Sequence, residues 1–311
     1  MRGLSRREVL KIGATMASGV LTGSGSQAIA AQKKPAGYID AHSHIWTRDV
    51  TKFPLAAGKT VADLDPQSFT ISELMDVARP QGVDRVVLIA HNIYYGFDNR
   101  YLVHAAHLYP ETFRVVGMVD DTKPHPDVEM KRLHTQHVTG FRITPFRSGP
   151  QWLENPGMKL MWKCAAETGQ AMCCLINPDD LPQVDRMCAD FPDTRVVIDH
   201  FARIGADGEI HESELKNLRR LARFKNTFVK ISAYYALGKK QEPYHDLIPI
   251  IRSLYEAFGA ERLMWASDSP YQIVGDHTYK ASIALVRDHL DFVSPEDRDW
   301  LLRKTAERVY F

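Results

Sequence analysis

The sequence has few cysteines, and their spacing does not favour disulfide bonds. The 311 residues include four, Cys164, Cys173, Cys174 and Cys188, and no two have Cys-x-x-Cys spacing. In a strand the adjacent side chains of Cys173 and Cys174 would point to opposite faces, which makes a bond between them unfavourable. A small fold held together by disulfide bonds is therefore excluded, and we expect the thiols to be buried as small apolar side chains.

Three other features are also missing. No apolar run is long enough to span a membrane as a helix. No Gly-x-Gly-x-x-Gly turn follows an early apolar run, which argues against a dinucleotide-binding fold. The charge is balanced, with 39 basic and 38 acidic residues, and no basic patch indicates nucleic acid or an anionic membrane surface as a partner.

The first thirty residues have the pattern of an export signal. Ser5–Lys11 contains a twin arginine, a weakly apolar stretch follows over Ile12–Gly25, and Ala28–Ala30 has the small-x-small spacing of a cleavage site. We expect the twin-arginine export machinery to recognise residues 1–30, which are then removed. Residues 31–311 would form a periplasmic or otherwise exported single domain with no stable membrane association. A disordered basic tail is the alternative interpretation. Without the leader, 35 of the 39 basic and 37 of the 38 acidic residues remain, a net charge of −2.

Short apolar runs alternate with amphipathic stretches along residues 31–311. The runs do not alternate between apolar and polar side chains, which is typical of strands buried on both faces of a parallel sheet. Eight such alternations in roughly 280 residues predict an α/β fold, a (β/α)8 TIM barrel, rather than an open doubly wound sheet. The predicted strands are Tyr38–Ala41, Arg85–Ala90, Arg114–Val119, Gly140–Ile143, Ala171–Ile176, Arg195–Asp199, Thr227–Ile231 and Arg262–Ala266. The predicted helices are Ile71–Ala78, Tyr101–Leu108, Val128–His137, Lys159–Thr168, Asp180–Asp190, Glu212–Phe224, Leu247–Phe258, Tyr279–Leu290 and Glu296–Val309.

Polar side chains recur where the predicted strands end, which is where a barrel enzyme holds its reactive groups. The first strand runs into His42 and His44, which an extended chain directs to the same side. The sixth ends in Asp199 and His200, and the eighth is followed by Asp268. Grouped polar side chains need partners or a task, so this convergence predicts an active site.

The order His-x-His, Asp-His, Ser-Asp-x-Pro resembles that of the amidohydrolase superfamily. The resemblance is strongest to amidohydrolase family 2, which includes lactonases and non-oxidative decarboxylases. It covers roughly residues 38–311 and includes the segments Gly82–Leu88, Gly140–Arg142, Asn226–Ser232 and Thr305–Tyr310.

The resemblance implies roles for four residues. Asp268 matches the aspartate that takes a proton from the attacking water, which requires a base within reach of that proton. His42 and His44 match the first-strand metal ligands. His200 matches a histidine that binds metal or polarises the scissile carbonyl, whose oxygen becomes negative under attack.

The resemblance is incomplete at the fifth strand. Metal-dependent members usually have a histidine at its end, and Ala171–Asn177 contains none. Arg142, on the fourth strand, cannot form the carbamate bridge that a lysine provides in binuclear members. A binuclear site is therefore not expected. One alternative is a single divalent metal ion, with zinc expected. Its ligands would be His42, His44, His200 and Asp268. The other is a site without metal, as in the dicarboxylate-lactone hydrolase branch, where the histidines hold the carbonyl directly.

Further strand-end residues are candidates for contact with a small-molecule substrate. Arg142 and Lys230 could pair with an anionic substrate group such as a carboxylate or sulfonate, or could form structural ion pairs. The other candidates for the pocket wall are Trp46, His91, Asn92, Tyr94, Tyr95, Tyr234 and Tyr235.

We therefore expect an exported hydrolase that opens a lactone or a similar cyclic ester with water activated by Asp268. One alternative is a metal-dependent decarboxylase of an unsaturated or aromatic acid. An alternative of another class is a periplasmic small-molecule binding protein that uses the barrel without turnover.

Overall fold

Eight parallel strands form one sheet in the computed structural model, which describes residues 37–145 and 151–311. They follow one another in sequence order around the barrel, so the predicted (β/α)8 fold is confirmed. The predicted export signal at residues 1–30 lies outside the described residues. The strands are β1 (Tyr38–Ser43), β2 (Val83–Ile89), β3 (Phe113–Gly117), β4 (Val138–Ile143), β5 (Ala171–Cys174), β6 (Arg195–Ile198), β7 (Thr227–Ile231) and β8 (Leu263–Trp265).

Helices lie between consecutive strands, and three more follow the last strand. They are α1 (Ile71–Ala78), α2 (Asn92–Tyr95), α3 (Arg100–Leu108), α4 (Pro126–His134), α5 (Pro156–Thr168), α6 (Leu181–Asp190), α7 (Glu212–Arg220), α8 (Ile248–Phe258), α9 (Tyr279–Asp288), α10 (Pro295–Asp299) and α11 (Thr305–Tyr310). A π-helical turn, Trp300–Lys304, joins the last two. No helix within the described ranges is both long enough and apolar enough to cross a lipid bilayer.

Local capping signals explain where several helices begin. The side chains of Thr70, Asn155 and Thr278 accept hydrogen bonds from the backbone N–H three residues on, at the starts of α1, α5 and α9. The helix α5 starts earlier than its apolar pattern predicts because Asn155 caps it and Pro156 occupies its first turn. Gly169 ends it with a φ of 74°, a left-handed conformation that glycine adopts without strain.

The lower interior of the barrel is an apolar core. It contains alternate side chains of most strands, which follows from the two-residue period of a strand. The C-terminal helix α11 contributes Ala306, Val309 and Tyr310 to the same cluster. The strand residues in it are Ile39, Ala41, Val87, Ile89, Val116, Ala171, Cys173, Val197, Phe228, Met264 and Ala266. All four cysteines are free and buried, as expected.

A buried carboxylate on β1 is hydrogen-bonded to residues that follow β8, the last strand of the sheet. Asp40 accepts hydrogen bonds from the backbone N–H and the hydroxyl of Ser267, at 2.9 and 2.6 Å, and from the Tyr279 hydroxyl at 2.9 Å. Next to it, the backbone N–H of Asp268 donates to the carbonyl of His42 at 2.8 Å. Burial raises the pKa of Asp40, and its hydrogen bonds oppose that rise. These bonds set the segment that carries the histidine pair against the segment that carries Asp268.

Candidate active site

The four residues predicted to be catalytic come together at the carboxyl ends of the strands. Oδ1 of Asp268 lies 3.4 Å from Nε2 of His42 and 3.3 Å from Nε2 of His44. Its other oxygen, Oδ2, lies 3.6 Å from Nε2 of His200. All four residues are buried. Three imidazoles from β1 and β6 therefore surround one carboxylate that follows β8.

The backbone at two of these positions is in the left-handed region. Asp268 has a φ of 64°, and His200–Arg203 are four consecutive residues with φ between 52° and 59°. Residues other than glycine adopt this conformation at an energetic cost, and such residues are concentrated at functional sites. The bend after each strand turns the side chains of Asp268 and His200 toward each other across the barrel mouth.

Hydrogen bonds orient two of the imidazoles. Nδ1 of His44 lies 2.9 Å from the carbonyl of Ile89, so this nitrogen carries the proton and donates it. Nδ1 of His200 lies 2.8 Å from the hydroxyl of Ser232. Both rings thus direct Nε2 toward Asp268. Ser232 was not among the predicted residues, although it follows Lys230 by two and faces the same side.

The surroundings of Asp268 favour its ionised form. Burial would raise the pKa of Asp268, but the neighbouring His200, His44 and His42 outweigh burial and hold that pKa below its usual value. Burial lowers the pKa of His200 to about 4, although Asp268 opposes the change. A carboxylate that stays ionised beside the neutral imidazole of His200 can accept a proton from water.

A second carboxylate, Asp199, lies beneath the first at the end of β6. Lys230 Nζ is 3.0 Å from its Oδ1, and Arg142 Nη2 is 3.6 Å from its Oδ2. Burial would raise the pKa of Asp199, but Lys230 and His42 outweigh it and hold that pKa well below its usual value. Of the two roles proposed for Arg142 and Lys230, the structure therefore shows the internal ion pair. Lys230 is 0% exposed, so it contacts Asp199 rather than the open pocket.

Arg142 also contacts the first histidine directly. Its Nη2 lies 2.6 Å from Nε2 of His42. A guanidinium can only donate, so this nitrogen of His42 accepts the bond with its lone pair. Burial lowers the pKa of His42 well below its usual value, and Lys230 and His200 act in the same direction. His42 is therefore neutral, with its lone pair on the side of Arg142 and Asp268.

Of the two adjacent tyrosines after β7, Tyr235 contacts the carboxylate of Asp268. Its hydroxyl donates to Oδ2 of Asp268 at 2.8 Å. The hydroxyl of Tyr234 donates instead to the carbonyl of Ile231 at 2.9 Å, and its ring packs in the core near Phe201. The prediction that Tyr234 lines the substrate pocket is therefore wrong, because adjacent side chains along this turn face different environments.

An aromatic wall stands beside His44. The ring of His91 lies 5.0 Å from that of His44, and its Nε2 is 2.5 Å from the Tyr271 hydroxyl. Burial lowers the pKa of His91 to about 2. Trp46 packs on the same side, 5.2 Å from the His91 ring. Tyr271 was not predicted, although it directly follows the Ser-Asp-Ser-Pro motif.

Two other predicted wall residues lie farther from the imidazoles. Asn92 begins the short helix α2 and is half-buried. The hydroxyl of Tyr95 accepts a hydrogen bond from the backbone N–H of Thr47 at 3.2 Å. Tyr95 thus holds the loop that follows β1.

Three of the predicted ligands are close enough to hold one metal ion. His42, His200 and Asp268 each offer a donor atom, and these atoms lie within 4.8 Å of one another. Two imidazoles and a carboxylate suit zinc, with a position left open for water. Two features oppose such a site: Arg142 already donates to His42 Nε2, and residues 171–177, which form β5 and the turn after it, contain no histidine.

Comparison with known proteins decides the family. The family model for amidohydrolases matches residues 39–311. The chain belongs to the amidohydrolase family. This amidohydrolase is similar to an L-fucono-1,5-lactonase of Burkholderia ambifaria, with 27% identity over 84% of this chain and 90% of the relative. It is also similar to a 2-pyrone-4,6-dicarboxylate hydrolase of Comamonas testosteroni, with 26% identity over 90% and 92%. A 4-sulfomuconolactone hydrolase of Rhizobium radiobacter is 24% identical over 76% of this chain and 77% of the relative.

Solved structures share the fold. A probable 2-pyrone-4,6-dicarboxylic acid hydrolase of Acinetobacter baumannii, with citric acid bound, superposes with a TM-score of 0.73 at 20% identity. It covers 88% of this chain and 99% of that one. An amidohydrolase of Burkholderia multivorans with bound zinc has a TM-score of 0.69 at 20% identity, with the same coverage.

Proposed function

We propose that this amidohydrolase hydrolyses a lactone. The observation that carries the proposal is the ionised carboxylate of Asp268, which lies within 3.6 Å of three imidazoles in a buried site. That arrangement places a base for water next to the imidazole of His200, which can donate to a carbonyl oxygen. The three relatives named above, each of which acts on a lactone by its name, support the same reaction.

The reaction uses Asp268 first as a base and then as an acid. Its carboxylate takes a proton from water while the water oxygen attacks the lactone carbonyl. The hydroxyl of Ser232 lies 2.8 Å from Nδ1 of His200. In the tautomer that the mechanism uses, this hydroxyl donates to Nδ1, and the Nε2–H of His200 donates to the carbonyl oxygen as that oxygen becomes negative. The ring C–O bond then breaks, and Asp268 returns its proton to the departing ring oxygen. The product is a hydroxy acid.

We further propose that turnover does not require a metal. A zinc ion held by His42, His200 and Asp268 would polarise the carbonyl and acidify bound water. The guanidinium of Arg142, however, lies 2.6 Å from the lone pair that His42 would offer to the ion. Its positive charge at that distance disfavours a dication.

One purification tests both proposals. The protein is assayed for opening of a lactone panel before and after dialysis against a chelator, and bound metal is measured. We expect full activity after dialysis and far less than one metal ion per chain. Activity that disappears with the chelator and returns with zinc would overturn the metal-free proposal while leaving lactone hydrolysis intact.

The Asp268→Asn variant tests the base. It should lower kcat/KM by about 10²- to 10⁴-fold, because an amide cannot take the proton from water. Unchanged activity would contradict the mechanism. Lactone binding without turnover by the unaltered protein would indicate a binding protein. Release of carbon dioxide from an unsaturated or aromatic acid, with no lactone opened, would indicate a decarboxylase.

A further inference from the structure

A cavity of about 800 Å³ opens beside the catalytic carboxylate. Its inner wall includes Tyr235, which donates to Asp268, and Tyr271, which contacts His91. The rings of the two tyrosines are 6.4 Å apart and inclined by only 24°. The cavity therefore adjoins the proposed site of hydrolysis through these two side chains, and this side of its wall is aromatic.

The outer wall of this cavity is acidic. Asp65, Glu242 and Asp276 contribute three exposed carboxylates, against a single cationic side chain, Lys240, among the described lining residues. The ammonium group of Lys240 donates to the carbonyl of Ala206 at 2.8 Å, outside the set of lining residues. The carboxylates are therefore incompletely offset by positive charge.

The two cations deeper in the site already have partners within the protein. Lys230 and Arg142 lie within 3.6 Å of Asp199, and Arg142 also contacts His42. Both cations are therefore already paired with side chains of the protein, and neither lines the cavity through which a substrate anion would arrive.

We propose that the site takes neutral, polyhydroxylated lactones and discriminates against lactones that carry carboxylates or sulfonates. This inference rests on the proposed lactone hydrolysis and assigns its substrate class. Carboxylates accept hydrogen bonds from substrate hydroxyls and repel substrate anions. Aromatic faces provide apolar area for the C–H groups of a saturated ring. The names of the relatives include a sugar lactone and two acid-bearing lactones, so they do not decide between the classes.

The test compares two substrates, L-fucono-1,5-lactone and 2-pyrone-4,6-dicarboxylate, at low and high salt. We expect kcat/KM at low salt to be at least about ten-fold higher for the neutral lactone, since several like charges act together on the dianion. Added salt should raise kcat/KM for the dicarboxylate through KM and leave the neutral lactone unaffected, because screening weakens the repulsion.

Charge-neutralising variants test whether the carboxylates of the cavity wall repel the dicarboxylate. Asp65→Asn and Asp276→Asn should each raise kcat/KM for the dicarboxylate by about three-fold through KM. Neither should raise it for the neutral lactone. Asp190→Asn is the control, because Asp190 is an exposed carboxylate at the end of α6, outside the cavity lining, and removes the same net charge. This control should leave kcat/KM unchanged for both substrates.

The outcomes separate this inference from the function on which it rests. Preference for the dicarboxylate at low salt, or variants that fail to raise its kcat/KM, would overturn the substrate class while lactone hydrolysis stands. If the folded protein opens neither these two lactones nor any lactone of the panel, lactone hydrolysis fails, and the substrate class fails with it.

Discussion

At the residue scale, the site depends on which polar atoms face one another. Asp268 is suited to the proposed role of base because imidazoles and a phenol, rather than apolar side chains, surround its carboxylate. Asp199 has a different role one layer below, where Lys230 and Arg142 neutralise it. Two buried aspartates at neighbouring depths thus have different tasks, and the difference comes from their partners.

The paired tyrosines after β7 offer a matched test at this scale. Tyr235→Phe removes the hydrogen bond to Asp268 and should lower kcat by about ten-fold, since the base loses its orientation. Tyr234→Phe removes a hydrogen bond to the carbonyl of Ile231 and should lower the free energy of unfolding by about 1 kcal/mol without changing kcat. Steady-state kinetics and urea unfolding of both variants separate the two roles. The reverse pattern would show that Tyr234 is the site residue.

A buried neutral histidine predicts how stability depends on pH. Burial lowers the pKa of His91 from 6.5 to about 2, so the unfolded chain binds more protons between these values. The free energy of unfolding should therefore be fully developed above pH 6.5 and fall as the pH drops, by about 2 kcal/mol at pH 5 from this residue.

Urea unfolding at pH 7.5, 6 and 5 measures this slope. The slope should be smaller in His91→Asn, which has no group to protonate. Equal slopes in the two proteins would show that His91 is protonated in the fold as well.

At the element scale, the junction of β1 with the segment after β8 is the critical contact. Asp40 accepts three hydrogen bonds there from Ser267 and Tyr279, and the backbone of Asp268 bonds to that of His42. The same few residues therefore close the barrel and align the base with the imidazoles.

Replacement of Asp40 should affect stability and catalysis together. Asp40→Ala leaves several buried donors without an acceptor and should lower the free energy of unfolding by about 2 to 4 kcal/mol. The activity of the remaining folded protein should also fall. Asp76→Asn, on the exposed face of α1, is the control and should stay within about 0.5 kcal/mol of the unaltered protein. Urea unfolding and kcat measure both effects, and a stable Asp40→Ala protein would show that strand pairing alone closes the barrel.

At the scale of the whole molecule, export remains a prediction from residues 1–30. We expect the full chain to reach the periplasm and the change of Arg6 and Arg7 to lysine to retain it in the cytoplasm, because the machinery recognises the arginine pair. Cell fractionation followed by immunoblotting measures the distribution. Replacement of Lys33 and Lys34 by arginine is the control and should not alter it. Equal export of the two variants would contradict a twin-arginine signal.

The sequence by itself determined the architecture. Unbroken apolar runs and the spacing of amphipathic stretches placed all eight strands to within two residues, because burial on both faces requires apolar side chains at successive positions. The same reasoning placed His42, His44, His200 and Asp268 at one end of the barrel, since parallel strands end on the same side.

Only the tertiary structure decided the partners of those residues. Neither the turn of Tyr235 toward Asp268 nor the pairing of Lys230 with Asp199 could be predicted, because each depends on side chains far apart in the sequence. The acidic wall of the cavity could not be predicted either, since Asp65 and Asp276 lie on loops that follow different strands. Local periodicity specifies which face of an element is buried, but distances and charge balance arise only when the barrel closes.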